Sequence, residues 1–395
     1  MKSLQDIQLA LTKLGLDAWL LLDFRGNNSI AHEIVQIPPT MHCTRRWAVL
    51  IPAKGKVQTL VHAIEDFTLA HIDAIHTVYS GHAGWHKGLQ NFIHAHPNIA
   101  IEYSPLNAIP TASKVDAGTV ELLRSMNAHI HSSADLLQMI AAVWSDEQLQ
   151  ENLEFTAPTL GNIMQETFQE IRSSILSKGI ASEYDIQQFV MKRFHDCGLT
   201  TYSEPIIAKD SNAASPHYAP SAQQYSEFGP DTIVLIDMWA CPSHGNGTYS
   251  DITWMCHTGT AMNEEESSIF NTIIEARNAG ITLFQERFHR KQSVMGCEID
   301  DAVRNVIFGK GYGEYFVHRT GHSITTETHG SGANMDNYET QDTRVVIPMT
   351  SCSIEPGIYI PGKVGMRTEI DMVFMQDGTP IVSGLAPQQE MMYLG

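Results

Sequence analysis

The sequence has little positive charge, few cysteines and no long apolar run. Lys and Arg number 25 against 44 Asp and Glu, so the formal net charge is 25 − 44 = −19. A surface of that sign repels phosphate backbones and anionic bilayers, and no run of Lys and Arg offsets it, which argues against nucleic-acid and membrane partners. The longest apolar run near the start, residues 18–22, falls far short of the roughly 20 residues that cross a bilayer. Met1-Lys2-Ser3-Leu4-Gln5-Asp6 lacks the apolar stretch and cleavage site of a secretory signal. Cys43, Cys197, Cys241, Cys256, Cys297 and Cys352 form no CxxC pair. They fit reduced thiols in a cytoplasmic protein better than a disulfide frame or a structural zinc site. No G-x-S-x-G elbow occurs, which removes the simplest serine-hydrolase reading. Gly309-Lys310-Gly311-Tyr312-Gly313 lacks the GKS/T ending of a phosphate loop and follows a helical pattern, so it reads as a turn.

What is present is an ordinary globular composition, 43% hydrophobic and 17% charged, on a chain long enough for two or three domains. Through about residue 144, short apolar strands (18–22, 47–51, 58–61 and 99–101) alternate with amphipathic stretches, the pattern of a small α/β sheet. Gly26, Asn27, Asn28 and Pro38-Pro39 mark loops. Ser145-Asp146-Glu147-Gln148 has the cap, the early acids and the N3 glutamine of a helix start, which sets a domain boundary at 144/145. The pattern predicts a helix from there to about 175, kinked at Pro158. Further helices are expected over 183–196, after Asn263, and over 299–308. Strands are expected over 232–238, 344–348, 351–360 and 368–375, with a turn at Asp377-Gly378. The C-terminal 145–395 therefore reads as α+β, with helices on one side of an antiparallel sheet.

Four carboxylates stand among the strand-forming residues. Asp237 ends Ile233-Val234-Leu235-Ile236, Asp251 opens another run, and Glu355 and Glu369 lie within later ones. A single acid in such a place is most often a salt bridge or a strand-end cap, since an unpaired buried charge is costly. Four that converge repel each other by roughly 4 kcal/mol per pair at ~4 Å and an effective dielectric near 20. Such a group persists when cations neutralise it, and four carboxylates balance two divalent ions. His322, beside Gly321, could add an imidazole and tilt the set towards Mn, Co or Fe.

Leu235-Ile236-Asp237, Ser250-Asp251-Ile252-Thr253, Gly321-His322, Ile354-Glu355-Pro356-Gly357-Ile358-Tyr359 and Arg367-Thr368-Glu369-Ile370 occur in an order that resembles the pita-bread metallopeptidases, the family of prolidase, aminopeptidase P, methionine aminopeptidase and creatinase. The resemblance covers about residues 150–390. It implies a pita-bread catalytic domain over 145–395, preceded by a creatinase/prolidase-type domain over 1–144. Phe24-Arg25-Gly26-Asn27-Asn28 looks like a loop of that first domain. The resemblance also implies two divalent metal ions, Mn2+ first, with Co2+, Zn2+ or Fe2+ as alternatives. Asp251 and Glu369 would bridge the ions, Asp237 would chelate one, and His322 and Glu355 would hold the other. Glu355 would also be the base, His329 would meet the scissile amide, His217 would face the substrate, and Arg367 would order the bridging glutamate or meet a substrate carboxylate. His318 stands evenly between packing and function. The implied activity is cleavage of an Xaa-Pro bond in a small peptide, most simply by a dipeptidase working as a homodimer. Aminopeptidase P, a creatinase- or ectoine-hydrolase-like C–N hydrolase, and a non-catalytic binding module on the same fold are the alternatives.

Three features depart from the family pattern. Asp237 and Asp251 are separated by a longer tip than usual, over 241–247, where Cys241 and His244 read as loop residues first and as added ligands only second. Trp254 stands where prolidases commonly carry arginine. Thr325-Thr326-Glu327 replaces a glycine-rich turn.

Overall fold

The computed structural model describes residues 3–38 and 40–395, so the readings placed on Met1, Lys2 and Pro39 lie outside it. The chain forms two compact units, Met1–Ile140 and Ala141–Gly395.

The first unit is built on a six-stranded sheet: β1 (Ala18–Asp23), β2 (Trp47–Pro52), β3 (Gln58–His62), β4 (Ile75–Tyr79), β5 (Asn98–Ile101) and β6 (His129–Ser132), in the order β4-β3-β2-β1-β5-β6. β2 runs antiparallel to both its neighbours, while β3–β4, β1–β5 and β5–β6 pair in parallel. β1 and β2 are buried at every position, as strands covered on both faces must be. β4 and β6 escape a reading by apolar runs because they lie at the sheet's edges and are largely exposed. Helices α1 (Leu4–Leu14), α2 (Ser29–Val35), α3 (Gly81–Ala95), α4 (Ala117–Ser125) and the short α5 (Ala134–Leu137) complete the unit.

The second unit opens with α6 (Asp146–Glu151), whose capping box of Ser145 and Gln148 is formed as expected. The expected kink at Pro158 takes another form. A wide π-turn over Asn152–Thr156 precedes α7 (Ala157–Lys178), and Pro158 sits in the first turn of α7, where its missing N–H is no loss. After β7 (Ala181–Ser182), α8 (Glu183–Asp196) is capped by Ser182. β8 (Leu199–Thr200), β9 (Ile206–Lys209), β10 (Glu227–Phe228), β11 (Ile233–Pro242) and β12 (Ser250–His257) follow. Then come α9 (Glu264–His289), with an Asn263–Glu266 capping box, and α10 (Gly296–Gly309). The remaining strands are β13 (Ser323–Ile324), β14 (Ser351–Ile354), β15 (Gly357–Ile360), β16 (Val364–Arg367), β17 (Ile370–Phe374), β18 (Pro380–Val382) and β19 (Met392–Tyr393). The turn at Asp377-Gly378 joins β17 to β18, with Gly378 at φ +86°.

Three expectations are corrected. The helices do not lie on one side. α7 and α8 pack on Val234, Ile236, Met238, Ile252 and Cys256, whereas α9 and α10 pack on the core that contains Ile233, Leu235 and Met255. The alternation along β11 therefore buries both of its faces. Residues 344–348 form no strand, because Arg344 turns back to bond both Asp342 oxygens and the Ser331 carbonyl. The single strand expected over 351–360 is broken at Glu355-Pro356, while the one expected over 368–375 forms as β17 but starts only at Ile370. Pro356 has no N–H to continue the ladder, and Thr368 and Glu369 send their N–H groups to Pro356 and Thr253. Glu355 lies at the break and Glu369 just before the late start.

Candidate metal centre

In the β11–β12 hairpin Asp237 faces Thr253 and Trp239 faces Asp251. Alternation puts Asp237, Asp251 and Thr253 on the face shared with Leu235 and Met255. Trp254 takes the opposite face, packing against Phe168 of α7 at 6.3 Å. That departure from the prolidase pattern therefore points away from the acids. The longer tip is likewise spent on docking. His244 Nε2 lies 2.6 Å from Glu151 Oε1, Gln148 donates to the Asn246 carbonyl at 3.0 Å, and Cys241 pairs with Thr200.

Strands and turns from distant parts of the second unit converge on one cavity of about 410 Å3. All eight residues singled out from the sequence line it: Asp237, Asp251, His322, Glu355, Glu369, His217, His329 and Arg367. His318 lines it as well. Gly321 lets the His322 strand close on β14, since a Cβ there would stand 2.1 Å from the Ser353 carbonyl oxygen. Gly365 does the same for the loop carrying His217, where a Cβ would meet the Ala213 carbonyl at 1.8 Å. That loop is anchored from below by Glu183, which is fully buried. Glu183 accepts from Lys209 N (2.9 Å), Asn212 Nδ2 (2.8 Å), Tyr218 Oη (2.5 Å) and Ser226 N (2.7 Å).

Ligand atoms of Asp251, His322 and Glu369 all lie within 4.8 Å of one another. His322 Nε2 stands 3.8 Å from Asp251 Oδ2 and 3.5 Å from Glu355 Oε1. The Nδ1 side of that ring faces the Ser323 carbonyl at 3.3 Å. A carbonyl only accepts, so Nδ1 carries the proton and Nε2 presents a lone pair to the acids. Burial, reinforced by His329 and Arg319, holds the His322 pKa far below its ordinary value. Burial also pushes the Asp251 and Glu369 carboxyls far above theirs, helped by the charges of neighbouring acids. Glu355 is pushed up to about 7 by burial, with Arg367 opposing and Asp237 adding to the rise.

A metal ion fits this donor set. Asp237 Oδ1 and Asp251 Oδ1 are buried without a hydrogen-bond partner, and a neutral imidazole lone pair aimed at carboxylates is repulsive unless a cation stands among them. Oxygen donors with one imidazole suit a hard or borderline divalent ion.

Arg367 ties the acids to their neighbours. Its guanidinium pairs with Asp237, donates to Thr253 Oγ1 at 3.1 Å and to Tyr359 Oη at 3.1 Å, and is 5% exposed. It reaches Glu369 through Thr253, whose hydroxyl donates to Glu369 Oε2 at 2.8 Å. His318 belongs to the same chain of bonds. Its Nδ1 donates to the Arg319 carbonyl (2.7 Å) and its Nε2 accepts from Tyr359 Oη (2.8 Å). Burial, together with Arg367, pushes its pKa down to about 3.

The sequence reading missed Tyr202, Trp239, Arg319 and Glu339, which also line the cavity. Arg319 had a local signal, lying between His318 and the His322 motif. Tyr202 and Trp239 (ring centroids 6.2 Å apart) had none. The Arg319 side chain has no hydrogen-bond or ion-pair partner among the described residues, and its backbone N–H donates to Glu339 Oε1 at 3.0 Å.

A model of metallopeptidase family M24 matches residues 159–376. An Xaa-Pro dipeptidase of Lactobacillus helveticus is 33% identical over 215 residues, 53% of this chain and 52% of that protein. An uncharacterized peptidase of Staphylococcus aureus is 29% identical over 216 residues, 54% of this chain and 56% of its own. The chain thus spans about half the length of the curated relatives it matches. Among solved structures, a recombinant prolidase from Thermococcus sibiricus gives a TM-score of 0.62 at 19% identity, covering 99% of this chain and 98% of that one. The dipeptidase PepE of Mycobacterium ulcerans gives 0.66 at 18% identity, covering 99% and 96%. These two likenesses speak to the fold.

Proposed function

The chain belongs to metallopeptidase family M24, and from that premise we propose that it hydrolyses the Xaa-Pro bond of dipeptides. The observation that carries the metallopeptidase chemistry is the buried acid cluster with its unpartnered oxygens, faced by the His322 lone pair. Two divalent ions, Mn2+ first, would be held by Asp237, Asp251, His322, Glu355 and Glu369. When bound, the ions supply Lewis acidity towards the scissile carbonyl and the attacking water.

The protein's own groups do the rest. Glu355, pushed up to about 7, takes the water's proton on its carboxylate and passes it to the leaving nitrogen. His329, whose ring lies 4.4 Å from that of His322, donates to the carbonyl oxygen as charge develops there. His217 faces the substrate from its loop. Arg367 holds Asp237 in place and orders Glu369 through Thr253. Arg319, the cavity's uncommitted guanidinium, is suited to a free C-terminal carboxylate, which supports a dipeptide over a longer peptide. The Lactobacillus helveticus relative, an Xaa-Pro dipeptidase, supports the same choice.

We further take residues 1–144 as the creatinase/prolidase-type domain and 145–395 as the pita-bread catalytic domain. The protein is read as a cytoplasmic homodimer. Six free thiols support a reducing compartment, and no helix among the described residues is long and apolar enough to cross a membrane.

The test is turnover with added Mn2+. Gly-Pro should be cleaved, and Gly-Pro-amide and Gly-Pro-Ala at least about tenfold more slowly, the cost of one lost charge-assisted contact. Faster cleavage of the tripeptide would assign an aminopeptidase P. Absence of cleavage of any Xaa-Pro peptide with Mn2+ or Co2+ would defeat the substrate assignment.

A further inference from the structure

The first unit holds a second cavity, of about 650 Å3, and its place in the sheet is informative. From β1 the chain runs outward through β2 and β3 to β4. It then restarts on the other side of β1 with β5 and β6. Strand order therefore reverses between β1 and β5. The carboxyl ends of β1, β3 and β4 (Asp23, His62 and Tyr79) line the cavity, together with Lys114, Val115 and Asp116, which follow β5, and Gly118 and Thr119 at the start of α4. A crevice outside the carboxyl ends of parallel strands, at such a reversal, is where open α/β sheets receive ligands.

The lining has the opposite sign to the rest of the chain. Arg45, Arg46 and Lys114 stand around it with His62 and His82, in a protein of net charge −19. Its two acids are already engaged. Asp23 accepts from Gly26 N (3.0 Å) and Asn28 N (2.9 Å) and lies 3.2 Å from His32 Nε2. Asp116 caps α4, accepting from Thr119 N (2.9 Å) and Thr119 Oγ1 (2.6 Å). Glu65, near the rim, is committed to Thr44 and to the Arg45 N–H. The first turn of the 15-residue α3, at Gly81 and His82, faces the cavity and has no side-chain cap.

One wall is aromatic. The rings of His62 and Tyr79 lie 5.0 Å apart, and those of Tyr79 and Trp85 5.2 Å apart. The Arg46 guanidinium sits 5.1 Å over Trp85, and Tyr79 Oη donates to the Arg46 carbonyl at 2.8 Å. A guanidinium stacked on an indole keeps its N–H edge for an anion.

We propose that this cavity is a binding site for a small organic anion, a phosphate or carboxylate on a flat apolar group. The anion meets Arg45, Arg46, Lys114 and the open turn of α3, and the apolar group lies against Tyr79 and Trp85. The site shares no lining residue with the acid cavity, lies before the span matched by the peptidase family model, and does not depend on the proposed peptidase reaction.

The experiment is calorimetric titration of the metal-loaded full chain with phenyl phosphate, inorganic phosphate and benzoate, repeated on R46Q/K114Q and on R45Q. These three side chains are exposed, so the variants should keep the parent's melting temperature. Phenyl phosphate should bind one to one, inorganic phosphate about tenfold more weakly for want of the ring, and R46Q/K114Q should weaken phenyl phosphate by at least about tenfold. R45Q should weaken it less. Tighter binding of benzoate than of phenyl phosphate would assign a carboxylate ligand, and the reverse a phosphate. The proposal is overturned if none of the probes binds saturably, or if binding is unchanged in both variants and so belongs to the metal centre.

Discussion

In the second unit, carboxylates converge below the surface and two of their oxygens find no partner. In the first unit, arginine, lysine and histidine ring an open cavity, and the acids among them are already hydrogen-bonded. The two arrangements carry different obligations. Buried like charges with unpaired lone pairs cost several kcal/mol and need a counter-ion to persist. Exposed cations cost little, so they allow a weak, exchangeable ligand without requiring one. The acid cavity therefore demands a partner as part of the fold, whereas the basic cavity only offers itself to one.

The sharpest way to break the contrast is at Glu355. Glu355→Ala should lower kcat on Gly-Pro by about 10^3-fold and weaken metal binding as well. Turnover near the parent's would show that another group takes the proton. Next comes the charge imbalance itself. Chelation should lower the unfolding temperature of the second unit and leave the first unit's transition in place, as followed by calorimetry. Asp251→Asn should bind less metal, yet unfold at a higher temperature than the parent once both are stripped, because the cost of burying an ionisable acid among other acids is removed. A stripped variant less stable than the stripped parent would mean that the acids are not strained against each other.

A smaller effect is expected below the site. In Glu183→Gln the new amide meets donors where the carboxylate accepted four bonds, so the His217 loop loosens. KM should rise about tenfold with kcat nearly kept, the signature of lost positioning. An equal fall in kcat would place Glu183 in the chemical step. The smallest effect belongs to the first unit. Glu102 is fully buried, bonded by Trp19 Nε1 (2.7 Å) and Asn28 Nδ2 (2.6 Å), and burial raises its pKa. Its folded-state value exceeds the unfolded one. The stabilisation it contributes is therefore complete below the unfolded pKa and fades as pH rises through the folded value. Glu102→Gln should flatten that decline with rising pH in urea titrations. An unchanged pH slope would mean that Glu102 stays ionised.

What could be read before any coordinates were local signals. The capping box at Ser145 needs only four consecutive residues and is formed, and the helix expected after Asn263 starts there. Asp237, Asp251, Glu355 and Glu369 were conspicuous as acids among β-formers, where sequence neighbours make a charge look out of place. The resemblance tied His322, His329, His217 and Arg367 to them, and all eight side chains share one cavity. What stayed hidden depends on distant neighbours. Nothing near Pro356 announces that the N–H of Glu369 will bond β12, and nothing near Arg367 announces that Asp237, 130 positions away, will take its guanidinium.

The identity of the residues that line the acid cavity thus lay in the order and type of the amino acids, because several acids among strand formers, taken together and in a familiar order, stand out where one alone would not. Which guanidinium is engaged and which is free was settled by packing, since hydrogen-bond partners are chosen in space. The same holds for the gathering of Arg45, Arg46 and Lys114 at one sheet end in an otherwise acidic chain. Strand order brings those residues together, and no linear pattern records it.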